Sequence, residues 1–97
     1  MKVGEIINMI SNKKIDNLFK NLGYIKKILS DNSVCYMKGD IHCKFEYSSD
    51  LNAYILSSAE SSKEADYNLF EDDELYSDLL DEKRILNNLE SDLKEFF

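Results

Sequence analysis

Proline, tryptophan, threonine and glutamine are absent from this chain of 97 residues, and histidine and arginine occur once each. Two cysteines, Cys35 and Cys43, are too few for a disulfide framework or a zinc site by count, and they read most simply as buried free thiols. The three glycines, Gly4, Gly23 and Gly39, are isolated, which excludes a glycine-rich phosphate loop. No apolar run approaches the roughly 18 residues of a membrane span. The opening Met1-Lys2-Val3-Gly4-Glu5 lacks the apolar core of a secretion signal, so a cytoplasmic location is expected. Basic residues are also few: 12 against 19 acids, for a net charge of −7. A general nucleic-acid binder needs a basic surface to displace counterions from phosphate, and anionic lipid selects for the same surface. Neither nucleic acid nor membrane is an expected direct partner.

What is present describes one folded unit. Hydrophobic residues make up 43% and charged residues 32%, the balance of a globular protein rather than a disordered one. A chain of this length buries about two-thirds of its unfolded surface, enough for one modest core, so residues 1–97 read as a single domain. Lys, Asn and Ile are heavily used (11, 9 and 9 residues), a usage associated with AT-rich coding and hence with a bacterium or one of its mobile elements.

Apolar residues at three- and four-residue steps predict an amphipathic helix over residues 3–22, carried by Val3, Ile6, Ile7, Ile10, Leu18, Phe19 and Leu22. The Asn12-Lys13-Lys14 patch is a candidate break, and Gly23 is placed to end the helix in the left-handed region. Tyr24–Leu29, Val34–Lys38, Ile41–Tyr47 and Ala53–Glu60 are short, rich in aromatic and β-branched residues, and separated by turn compositions. In the third of these, Ile41, Cys43, Phe45 and Tyr47 fall on one face, with His42, Lys44 and Glu46 on a face expected to be wet. Ser61 or Ser62 can cap a helix carrying Ala65, Leu69 and Phe70, and Ser77 or Asp78 can start a last helix with Leu79, Leu86, Leu89, Leu93 and Phe96 inward. The expected fold is α+β: an N-terminal helix, a four-stranded antiparallel meander, and two C-terminal helices packed on one sheet face as a two-layer sandwich.

Charge is divided along the chain. Residues 1–44 carry eight Lys and four acids, net +4, whereas residues 45–97 carry four basic groups and fifteen acids, net −11. The densest acidic piece is Glu71-Asp72-Asp73-Glu74-Leu75-Tyr76-Ser77-Asp78. Consecutive carboxylates make a strong local negative field. One reading is a solvated helix start, in which acids complement the helix dipole and aid solubility. The functional reading is a surface for a basic partner, made of Glu71, Asp72, Asp73, Glu74, Tyr76, Asp78, Asp81 and Glu82. An EF-hand is rejected, since residues 72–83 place Ser77 where glycine is required and end on Lys83 rather than a bidentate Glu. No metal or cofactor is expected.

No catalytic residues are assigned. His42 and Cys43 are adjacent on a predicted strand and point to opposite faces, so the imidazole cannot activate that thiol. Cys35 lies on the neighbouring strand, and whether it shares a face with His42 turns on a one-residue register choice. A zinc site from Cys35, His42 and Cys43 lacks a fourth ligand.

Between Ile41 and Phe97, a little more than half of the chain, Ser58-Ala59-Glu60, Glu64-Ala65, Asn68-Leu69-Phe70-Glu71-Asp72 and the tail Leu93-Lys94-Glu95-Phe96-Phe97 form a pattern. It resembles the small immunity proteins of bacterial polymorphic-toxin systems, including contact-dependent growth inhibition. Asp73 and Glu74 depart from the pattern, standing where a glycine turn is usual. That family has no shared active site to transfer. The resemblance implies a role: a stoichiometric cytoplasmic antitoxin whose partner is a cognate toxin, the acidic surface matching a basic nuclease domain, and which is itself a monomer or weak homodimer. A sheet edge accepting a partner strand is a second docking route. The alternatives are a phage-encoded acidic inhibitor of a defence nuclease (an anti-CRISPR or DNA mimic), a thiol enzyme, and a structural subunit.

Overall fold

The computed structural model describes residues 10–96, without the side chain of Phe96. Val3, Ile6 and Ile7 of the expected first helix, and the side chains of Phe96 and Phe97, lie outside the described residues.

Ser11 is extended, and its Oγ accepts the Lys14 N–H at 3.3 Å, which starts helix α1 (Asn12–Asn21) where the sequence suggested a break. Gly23, at φ +93°, turns the chain away as expected. The strands are β1 (Ile25–Ile28), β2 (Val34–Lys38), β3 (Ile41–Ser48), β4 (Ala53–Ala59) and β5 (Glu71–Ser77). They form one antiparallel sheet in the order β1-β2-β3-β4-β5. Between β4 and β5 lies the short helix α2 (Ser62–Asp66), and α3 (Glu82–Phe96) closes the chain. Lys38 pairs with Ile41, leaving Gly39-Asp40 as a two-residue loop whose first position takes φ +63°. Elsewhere Asn32, Asn52 and Asn68 occupy left-handed positions at φ 68°, 51° and 58°, so this glycine-poor chain uses asparagine for its other sharp turns.

Burial decides the rest. One sheet face presents Tyr36, Cys43, Phe45, Tyr54, Leu56 and Tyr76 to Ile15 and Phe19 of α1 and to Ile85, Leu89 and Leu93 of α3. Phe19 stacks on Tyr36 at 4.0 Å and Phe45 on Tyr54 at 5.0 Å between ring centroids. Phe19, Leu56 and Leu89 are fully buried. Each such side chain contributes about 1.5–3 kcal/mol relative to exposure.

The α+β class and the antiparallel sheet follow the sequence reading, but four details differ. First, the sheet has a fifth strand, because the acidic stretch pairs with β4 instead of starting a helix. Second, the last helix begins later: the Asp81 side chain caps it by accepting the Arg84 N–H at 2.8 Å, and Leu79 is 93% exposed rather than inward. Third, α2 stops at Asp66, so Leu69 and Phe70 lie beyond it and Leu69 is exposed. Fourth, the helices do not share one face. α2 lies over the second face, where Ala65 and Phe70 pack with Leu29, Cys35 and Ala59. His42 and Lys44, expected to be wet, are therefore buried.

Candidate functional site: the acidic edge strand

The eight residues that the sequence groups into one acidic surface separate into two sets. Glu71, Asp72, Asp73 and Glu74 are exposed on β5, the last strand of the sheet. Glu74 pairs with Leu56 and Asp72 with Ser57, so Asp73 is the extra residue of a β-bulge. A bulge bends and twists its strand and re-aims its side chains. Among the described residues the outer side of β5 is unpaired, leaving backbone N–H and C=O groups beside four carboxylates.

The other four have structural employment. Tyr76 is 3% exposed, packs against Phe45, and donates its hydroxyl to Asp92 of α3 at 2.6 Å. It belongs to the core and is withdrawn as a partner contact. Burial, followed by the Asp92 carboxylate, pushes the Tyr76 hydroxyl well above its ordinary value. Asp78 accepts the Tyr47 hydroxyl at 2.7 Å, while its backbone N–H bonds to the Asn52 carbonyl at 3.0 Å. Asp81 caps α3, and Glu82 pairs with Lys14 of α1.

At its start β5 borders a cleft of about 850 Å³, open to solvent, where Glu71 and Asp73 meet Glu60 and Glu64 above the apolar Leu69 and Phe70. Glu60 directly follows β4, and Glu64 stands in the first turn of α2. The Ser61 Oγ accepts the Glu64 N–H at 3.2 Å, and the Glu64 carboxylate accepts the Glu60 N–H at 3.0 Å. This is a capping box displaced by one residue. Its Ser61-x-x-Glu64 spacing is visible in the sequence, but nothing in the sequence places it beside β5. Lys44 holds the turn before β5: its Nζ donates to the Asn68 side-chain amide oxygen at 2.5 Å and sits 4.7 Å from the ring centre of Phe70, which lines the cleft. A lysine on the supposedly wet face thus fastens the turn that leads into the acidic strand.

Tyr36 pairs with Cys43 and Met37 with His42, so Cys35 shares its face with His42 and Cys43 lies on the other. Neither thiol is poised as a nucleophile. Both are fully buried; burial pushes the Cys43 thiol up to about 12 and also raises Cys35 despite Lys27 and Lys44 nearby. The His42 Nδ1 lies 2.9 Å from the Asp40 backbone carbonyl oxygen, which can only accept, so Nδ1 donates to it, and among the described residues the buried Nε2 has no hydrogen-bond partner. The Tyr24 hydroxyl lies near Cys43 in a contact that falls short of a good hydrogen bond, and burial raises it to about 12.

Among the described residues no group of three or more His, Cys, Asp or Glu side chains is arranged to hold a metal ion, and no helix is long and apolar enough to cross a membrane. No family model, curated protein or solved structure matches this chain.

Proposed function

We propose that this protein is an immunity protein: a stoichiometric antitoxin that binds a cognate bacterial toxin in the cytoplasm and occludes it through the β5 edge. The observation that carries the reading is the placement of Glu71, Asp72, Asp73 and Glu74 as four exposed carboxylates on a strand edge that is unpaired among the described residues. Charge docking and strand addition, separate routes on paper, coincide there. A basic nuclease domain fits such a surface because complementary fields raise the association rate, and carboxylates can stand where phosphates would lie. An extended basic segment could add to β5 by main-chain bonds and send side chains into the acidic cleft. The interaction is stoichiometric binding rather than turnover.

The test is a pull-down from lysate of the native host, washed at low and then high salt, with retained proteins identified by mass spectrometry. The reading predicts one dominant basic nuclease toxin, held at low salt and weakened at high salt as screening shortens the reach of the field. A guide-RNA-dependent defence nuclease in its place would assign the protein to phage-encoded acidic inhibitors. Recovery of no nuclease at either salt would contradict both.

A further inference from the structure

Among the described residues the sheet has two open edges, and they carry opposite charge. β1 presents Lys26 and Lys27 between Ile25 and Ile28, which are 64% and 67% exposed. β5 presents Glu71, Asp72, Asp73 and Glu74, followed by Leu75 at 52% and, just past the strand, Leu79 at 93% exposure. Unpaired edges template further pairing unless charge prevents it. Here charge opposes β5 against β5, acid facing acid, and β1 against β1, lysine facing lysine. The remaining combination is attractive and has exposed apolar side chains on both sides.

We propose that copies of this chain associate head to tail, β1 of one copy adding to β5 of the next. Lys26 and Lys27 already approach Asp16 and Asp66 of their own chain at 3.0 and 3.5 Å. Those pairs are partly exposed, so the lysines can exchange partners with little penalty. The ladder is limited by β1, whose four residues span about 13 Å, so the association is weak and depends on concentration. The contact is heterologous, so it builds open chains unless its rotation happens to close a ring. Salt acts in two ways. The overall charge of −7 repels copies at very low salt. At about 0.1 M that long-range repulsion is screened while contact pairs persist, and at about 1 M the contact pairs weaken as well. The same β5 edge is the proposed toxin-binding surface, yet self-association stands whether or not a toxin exists.

Sedimentation velocity at about 0.1 M salt tests this with two charge-swapped variants, each first checked for folding by circular dichroism. Lys26→Glu with Lys27→Glu makes both edges acidic, and replacing Glu71, Asp72, Asp73 and Glu74 together by Lys makes both edges basic. The expected result is concentration-dependent growth in mass for the native chain, its loss in each variant alone, and its return when the variants are mixed. A native chain that stays monomeric up to millimolar concentration, or a mixture of folded variants that stays monomeric, overturns the proposal. Should either variant fail to fold, amide hydrogen exchange of the native chain at low and high concentration decides. Protection gained in both β1 and β5 supports the pairing, and its absence from both, or its confinement to one, contradicts it.

Discussion

Glu71–Glu74 and the group Asp78, Asp81 and Glu82 look alike in sequence and differ in structure. The first four lie on a strand edge with their carboxylates in water. The later three each have a bond to keep: a tyrosine hydroxyl, a helix N-terminus, a lysine across a helix pair. The difference teaches that acidity alone does not define a binding surface. Where the fold uses a carboxylate, its loss should appear in stability. Where the fold leaves it free, its loss should appear in association.

The sharpest way to break this comparison is at Tyr76, which sits between the two sets. Tyr76→Ala should cost about 3–5 kcal/mol in chemical denaturation, as should burial-matched truncation at Phe45. A cost under about 1 kcal/mol would return Tyr76 to the surface. The same residue gives a pH signature. Its hydroxyl ionises less readily in the folded protein than in the unfolded chain, as does that of Tyr36, which donates to Asp16. A raised pKa means stability held fully below the unfolded value near 10 and lost as pH rises beyond it. The Asp16 carboxylate shows the opposite sign. The Tyr36 hydroxyl, and after it Lys26, hold it below the ordinary carboxylate range, so its contribution is present above pH about 4 and fades as pH falls further. Denaturation midpoints measured from pH 2 to 11 should therefore fall at both ends, and Tyr36→Phe should flatten both slopes.

Smaller effects divide the acids themselves. Asp81→Ala removes the α3 cap and should cost about 1 kcal/mol, while Asp81→Asn or Asp81→Ser should restore most of it. Glu82→Gln loses a partly exposed ion pair with Lys14 and should cost less than about 1 kcal/mol, a difference that shrinks in high salt. At the bottom of the scale, neutralising Asp72, Asp73 and Glu74 should change stability by no more than about 0.5 kcal/mol in either direction, because no described fold contact uses these side chains.

Much of the fold was legible because its signals were local. The strand over Ile41–Tyr47, the turn at Gly39-Asp40, the cap at Ser61 and the left-handed Gly23 all rest on neighbouring residues, and the structure keeps each of them. β5 was hidden because Glu71-Asp72-Asp73-Glu74 has poor strand propensity, and the adjacent pair Leu75-Tyr76 is too short to show a two-residue period. Pairing with β4 overrides that propensity, since it seats Tyr76 opposite Tyr54 in the core. The burial of His42 and Lys44 was hidden for a different reason. Their polarity marks a wet face, and only the return of α2 and Phe70 over the second face explains their dryness. In the candidate site, the dense acids were readable as a run. That Glu60 and Glu64 join Glu71 and Asp73 around one cleft follows from the hairpin-like return of the chain, which no spacing announces.

The most direct test of the central claim, that the free acids of β5 serve association and not the fold, is a paired measurement on one variant. Asp72→Asn, Asp73→Asn and Glu74→Gln are combined, and the variant is compared with the native chain in thermal unfolding and in capture of the partner from host lysate. The account predicts coincident unfolding curves and loss of the captured nuclease. Capture undiminished by the triple substitution, or an unfolding midpoint that collapses with it, would contradict the account.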